Sequence, residues 1–293
     1  MSTHPQPGIL ADVPPFARYL WFDLRPSANA RAARALLEGL AFGDHVVGLG
    51  PAFVSHCRGQ VDGLREPETL QGVGVSTPST PTALWLWLRG EDPGDVLHAS
   101  RSFEAALAPA FELFDLAEAF RHREGRDLSG YVDGTENPTG EKARATAIIE
   151  AEGATQGSSF VSVQRWRHDL EALGRMAPDE RDHVIGRRLA DDVEIDGAPA
   201  SAHVKRTAQE DFDPEAFLVR RSMPWSDPSA EGLIFVAFAT SFDPFEAQLR
   251  RMVGLDDGIV DALFRFTRPE SSAYLWCPPL SNDRLDLSAL ASD

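Results

Sequence analysis

Between residues 124 and 140 every regular spacing of apolar residues in this chain stops. The segment holds four glycines, a proline and two turn-forming pairs, Asp133-Gly134 and Asn137-Pro138, a density of breakers that neither a helix nor a long strand tolerates. On both sides of it the same vocabulary occurs. Residues 82–88 read as an apolar strand followed by a long Ala- and Leu-rich helix, and residues 232–240 read as a strand followed by a helix. Because the echo lies in pattern and hardly in residue identity, it points to two similar α+β halves rather than one doubly wound parallel sheet. The boundary is placed near residue 140, giving domains 1–140 and 141–293.

Within the first half, aromatic and branched residues at 17–24 predict a strand, and Ser27 is the expected N-cap of a helix reaching about residue 40. Residues 45–49 add a strand, and 95–120 repeat apolar residues at helical spacing, with Pro109 starting a new helix or kinking the first. In the second half, strands are expected at 158–166, 217–223 and 232–240, and helices at 168–176, 178–187, 243–253 and 256–264. The acidic tail from residue 281 to 293 is either solvated or docked on a neighbour.

Charge narrows the choice of partners. Against 45 acidic side chains stand 28 basic ones, a formal charge of −17 that repels phosphate backbones and anionic membranes. Neither nucleic acid nor membrane is expected as a partner, and the longest apolar runs, 84–88 and 233–239, fall far short of the roughly 18 residues a span requires. Residues 1–15 show neither a basic n-region nor an apolar h-region. The only two cysteines, Cys57 and Cys277, form no Cys-x-x-Cys pair, which suits a reducing cytoplasm.

Phosphate-binding, dinucleotide-binding, serine-hydrolase and His-Glu-x-x-His signatures are all absent. What stands out is Gly130-Tyr131-Val132-Asp133-Gly134-Thr135-Glu136-Asn137-Pro138. By itself it is a turn in which glycine supplies positive φ. Alternatively, its glycines let the backbone approach a flat ligand while Asp133 points at it. Further on come Ala202-His203-Val204-Lys205-Arg206-Thr207 and Phe217-Leu218-Val219-Arg220-Arg221-Ser222. His203 is one of eight histidines, and Arg220 on a strand is ordinarily an ion-pair partner. Strand alternation puts Arg220 and Ser222 on one face, and Leu233 and Phe235 on one face of the next strand, an apolar wall beside a cation and a hydroxyl.

Taken together, these segments resemble the dye-decolourising peroxidase family, whose mark is Gly-x-x-Asp-Gly, matched by Gly130, Asp133 and Gly134. The stretches around His203 and Arg220 match as well, in the same order, and the likeness to the bacterial B-type branch extends to the N-terminal Gln6-Pro7-Gly8-Ile9-Leu10. The resemblance covers nearly the whole chain. It implies duplicated ferredoxin-like domains, antiparallel sheets flanked by helices, with one haem b per chain in the second half. It further implies a peroxidase that reduces hydrogen peroxide to water through a high-valent ferryl haem and oxidises dyes, phenols or similar small-molecule donors.

The resemblance also distributes roles. His203 is the proximal iron ligand, with Asp261 on its other ring nitrogen, a pairing that raises imidazole basicity. On the distal side Asp133 moves the peroxide proton and Arg220 steadies the charge of O–O cleavage. Some relatives have asparagine where this chain has Ser222, so a bond to the ferryl oxygen is shorter in reach or runs through water. Leu233 and Phe235 form the apolar distal wall, Arg187 and Arg206 pair with haem propionates, and Glu136 and Glu215 match carboxylates that in some relatives bind manganese. Trp166, Trp225, Trp276, Tyr131 and Tyr274 are the pool from which surface electron carriers could be drawn, each equally readable as core. Self-association is implied, and for some members packing in a protein shell, though residues 286–290 match a cargo segment poorly. The alternatives are porphyrinogen oxidation or removal of iron from haem, and non-enzymatic haem storage or transfer. Storage would need His203 but neither Asp133 nor Arg220.

Overall fold

The computed structural model describes residues 3–290. In chain order the first half forms β1 (Phe16–Leu24), α1 (Ala30–Gly39), β2 (Val46–Leu49), α2 (Pro51–His56), the hairpin of β3 (Leu70–Gly72) and β4 (Val75–Thr77), β5 (Leu84–Gly90), α3 (Pro93–Leu107) and β6 (Phe111–Phe120). The second forms α4 (Gly140–Ala147), β7 (Ser159–His168), α5 (Leu170–Arg175), α6 (Pro178–Ile185), α7 (His203–Arg206), β8 (Val219–Arg220), β9 (Met223–Ser226), β10 (Glu231–Ala239), α8 (Asp243–Met252) and β11 (Thr267–Cys277). A small hairpin, β12 (Leu280–Ser281) and β13 (Arg284–Leu285), follows.

The duplication is visible in the strand order. The first half runs β6-β1-β5-β2 and the second β11-β7-β10-β9, so in each the fourth strand lies beside the first, the first beside the third and the third beside the second. All these pairs are antiparallel. Both halves are thus ferredoxin-like, and β5 with α3 corresponds to β10 with α8. The two sheets also meet at both edges, where Trp276 lies opposite Leu49 and Ala119 opposite Trp225. Eight strand positions therefore close into one barrel, and the division between the halves does not separate two cores.

Alternation sorts the side chains into two layers. On β5, Trp85 and Trp87 point into the barrel with Tyr19, Trp21, Trp225 and Phe238, while Leu84, Leu86 and Leu88 point outward under the helices. Tyr19 stacks on both tryptophans at 6.0 Å. Burying each such side chain is worth about 1.5–3 kcal/mol. A one-residue slip of β5 would exchange its tryptophans for leucines, so the register is strongly fixed.

Two expected helices are corrected. Residues 111–120 form β6, paired along its length with β1 from Leu24 opposite Phe111 to Phe16 opposite Phe120. Its Leu, Ala and Glu are good helix formers, but pairing with β1 overrides that preference. Residues 256–264 are an irregular segment ending in a 3-10 turn at Ala262–Arg265. Asn29, not Ser27, caps α1 through a bond from the Ala32 N–H. The acidic tail docks on its own chain, with Leu285, Leu287 and Leu290 buried, and its residues 291–293 lie outside the described ones. Among the described residues no helix is long and apolar enough to cross a membrane.

Candidate functional site

The second half carries a cavity of about 870 Å3 on the outer face of β7 and β10. Its apolar wall is made by Leu233 and Phe235 of β10, by Phe245, Leu249 and Met252 of α8, and by Leu263 and Phe266. Into it project His203, Asp133 and Arg220.

His203 opens α7, a single turn. Its Nδ1 lies 2.8 Å from Oδ2 of Asp261, which is fully buried. The other oxygen of Asp261 accepts the Leu263 N–H at 2.8 Å, capping the 3-10 turn. With the Nδ1 proton directed at a fixed carboxylate, the lone pair is left on Nε2, which makes no hydrogen bond among the described residues.

Asp133 sits on the glycine-rich loop. Gly130 and Gly134 have φ of 94° and 77°, a conformation other residues seldom adopt, so the loop's shape depends on them. Asn137 ties this loop to β8: its Oδ1 accepts the Arg220 N–H and its Nδ2 donates to the Arg220 carbonyl, both at 2.8 Å. Gln209 makes a second tie, donating to the Glu136 carbonyl at 2.9 Å and accepting the Leu218 N–H at 2.8 Å. Arg220 forms no ion pair among the described residues, and its Nε is buried without a partner. A part-buried cation without a counter-ion among the described residues, held by its backbone, is a group arranged to meet a ligand.

The remaining expected residues are placed less centrally. Ser222 does not line the large cavity; it lies in a pocket of about 400 Å3 that shares Asp133 and Leu233 with it. The ladder breaks between β8 and β9, where the Val236 N–H meets Ser222 Oγ at 3.4 Å. Arg187 and Glu136 pair at 2.9 Å in the cavity's polar mouth, a space of about 1,080 Å3. Arg206 is not brought to the cavity: both terminal nitrogens reach Asp257 at 2.7 Å, and one also reaches the Arg251 carbonyl at 2.6 Å. The hydrogen bond from Arg206 holds the Asp257 carboxyl down at about 2. Glu215 is exposed and lines neither cavity nor mouth. Of the five redox-active aromatics all are buried; Trp166 and Tyr131 line the cavity.

One cavity pair was not singled out from the sequence. His168 Nε2 is 2.9 Å from Asp127 Oδ1, and His168 Nδ1 is 2.6 Å from the Thr267 hydroxyl. Burial alone would raise the Asp127 carboxyl, but bonds from His168 and the Ser129 N–H more than offset it and hold it below the usual range. Asp127 lies three residues before Gly130, inside the irregular segment, so proximity to the motif was its only signal in the sequence.

Comparison with known proteins agrees with this geometry. Residues 124–282, more than half the chain, match the C-terminal domain of Dyp-type peroxidases. A dye-decolorizing peroxidase of Mycolicibacterium paratuberculosis is 32% identical over 71% of this chain, a match spanning 61% of that relative's length. The solved DyPB of Rhodococcus jostii superposes with a TM-score of 0.85 at 26% identity, covering 94% of this chain and 95% of the other, and a single-residue variant of it was solved in complex with heme. The encapsulated DyP-type peroxidase of Mycobacterium smegmatis gives a TM-score of 0.84 at 26% identity over 95% and 96% of the two chains. With that match covering the site and more than half the chain, the chain belongs to the Dyp-type peroxidase family.

Proposed function

We propose that the protein is a haem-dependent peroxidase, binding one haem b per chain, that reduces hydrogen peroxide and oxidises small one-electron donors. The observation that carries this reading is the single cavity into which a carboxylate-backed imidazole, an unpaired guanidinium and a carboxylate all project. Among the described residues no group of three or more His, Cys, Asp or Glu is placed to hold a bare metal ion. One imidazole with an open Nε2 above an apolar slot instead suits a metal that arrives with most of its ligands, as haem iron does.

Haem, when bound, supplies an iron that can relay the oxidising power of peroxide to donors one electron at a time. His203 would hold that iron through Nε2, with Asp261 keeping the ring oriented and electron-rich through Nδ1. Asp133 takes the proton from one peroxide oxygen and returns it to the other, which leaves as water. Arg220 stabilises the negative charge that grows as the O–O bond opens. Leu233 and Phe235 keep bulky donors away from that chemistry. Ser222, beside Asp133 in the smaller pocket, would act through water, and Arg187, at the mouth, would pair with a haem propionate.

A haem carrier would need His203 alone, so Asp133 and an uncompensated Arg220 favour the peroxidase over storage or transfer. Two free cysteines support a cytoplasmic location, and self-association and enclosure in a protein shell are proposed from the encapsulated relative. The test is an absorption spectrum of the haem-loaded protein before and after one equivalent of peroxide. A shift away from the ferric spectrum is expected; an unchanged one rejects the reading.

A further inference from the structure

Ahead of β1, residues 6–13 form a strap laid against the barrel: Ile9 is fully buried in its core, with Leu10 and Val13 packed alongside. Gln6 moors the start of the strap, its Nε2 donating to the Val47 and Pro278 carbonyls at 2.9 Å and its Oε1 accepting the Val47 N–H at 2.7 Å. Two arginines grip the rest through backbone carbonyls alone. Arg89 donates to Gly8 at 2.6 Å and Asp12 at 2.5 Å, and Arg221 donates to Ala11 at 2.8 Å and Leu10 at 3.0 Å. Both are buried, and in a chain with 45 acidic side chains neither forms an ion pair among the described residues.

A buried charge without a counter-ion is a costly way to hold a strap that apolar packing already holds. The third bond of Arg221 gives it another purpose: its Nη1 donates to the Arg220 carbonyl at 3.0 Å. That carbonyl lies where the ladder breaks, on a two-residue edge strand, and its other side-chain donor is Asn137 Nδ2 at 2.8 Å. Asn137 holds the Arg220 peptide from the glycine-rich loop, and Arg221 holds it from the barrel. Alternation makes this possible, because Val219, Arg221 and Met223 face the barrel core while Arg220 and Ser222 face the two pockets that Asp133 shares. Arg221 itself lines neither the cavity nor its mouth.

We propose that Arg221 is a positioning residue of the peroxide site: anchored on the Leu10 and Ala11 carbonyls, it fixes the Arg220 peptide and so aims the Arg220 guanidinium into the cavity. This rests on the peroxidase reading. Displacing a charge-stabilising group by about 1 Å costs on the order of a hundredfold in rate, so a second clamp on this peptide has a use that strap binding alone does not explain. The strap thereby reaches the distal chemistry through one side chain, although no strap residue touches a reacting atom.

The test is a double-mutant cycle with two readouts on the haem-loaded protein: cyanide affinity of the ferric state by absorption titration, and the rate of reaction with peroxide by stopped flow. Arg221→Met should weaken cyanide binding and slow the peroxide reaction about tenfold each, and Arg221→Lys, which keeps the charge, should lose about threefold. In an Arg220→Leu background the same substitutions should change either readout less than about twofold, because the group they aim is gone. Arg89→Met loosens the same strap without touching Arg220 and should leave both readouts within about twofold of wild type. The proposal is overturned if Arg221→Met matches wild type, if its loss is as large in the Arg220→Leu background, or if Arg89→Met reproduces it. Should Arg221→Met not be recovered with haem, Arg221→Lys carries the same comparison. Cyanide binding needs no peroxide, so failure of the peroxidase reading would appear separately, as a wild-type ferric spectrum that peroxide leaves unchanged.

Discussion

His203 Nδ1 and Asp261 Oδ2 are 2.8 Å apart, and because Asp261 is itself held by the Leu263 N–H, the ring cannot turn without losing its bond to that carboxylate. Among the described residues His203 is the only cavity imidazole with an open Nε2, since both ring nitrogens of His168 are bonded, so haem retained after purification should fall at least tenfold in His203→Ala. Asp261→Asn keeps a hydrogen-bond partner but loses the charge, and should cost about 10–100-fold in activity with smaller haem loss. Haem-to-protein ratios measure both; full loading of His203→Ala would remove the ligand assignment.

Arg220 and Asp133 should separate kinetically. Arg220→Leu leaves the backbone clamp from Asn137 intact, so haem binding should persist while the rate of reaction with peroxide drops about 10²–10³-fold. Asp133→Asn should be milder, because Arg220 and water remain. Stopped-flow mixing with peroxide reads both, and equal losses of haem and rate in Arg220→Leu would indicate a structural part instead.

Arg206 should behave as a structural cation. Arg206→Ala deprives Asp257 and the Arg251 carbonyl of their donors, which should cost about 1.5–3 kcal/mol of stability. Denaturant titration of the haem-free protein is the measurement. A loss seen only with haem bound would instead support the propionate pairing expected from the family resemblance.

The Asp127–His168 pair predicts an acid limb. Asp127 is held below its ordinary value, so its contribution is complete above the unfolded carboxylate pKa of about 3.9 and is lost as pH falls through the folded value. The stability gap between wild type and Asp127→Asn should therefore be constant from about pH 5 to 7 and close below about pH 4. Thermal melts across that range decide it; a gap that persists into stronger acid contradicts the pairing.

Much of this was legible in the sequence, for identifiable reasons. The alternation of tryptophan and leucine in β5 and the apolar run of β10 announce two-faced strands, and their following helices betray the repeat. β6 was not legible, because its side chains favour a helix and only its partner β1 makes it a strand. Asp133, His203 and Arg220 became visible through their joint family match, since alone they are a turn residue, one histidine of eight and a surface-type cation. The bond from Arg206 to Asp257, 51 residues away, was not legible, because the sequence around Arg206 says nothing of that partner. His168 and Asp127 are likewise 41 residues apart and meet only through folding.

The two seams of the barrel, Trp276 with Leu49 and Ala119 with Trp225, also say what the first sheet is for. Every residue assigned to peroxide or iron follows β6 in the chain, yet without β1 to β6 the strands β9 and β11 would end in bare edges, open templates for other chains. The duplicated half is thus a built-in chaperone for its twin, retained to occupy hydrogen-bonding edges that the half carrying the chemistry cannot leave exposed.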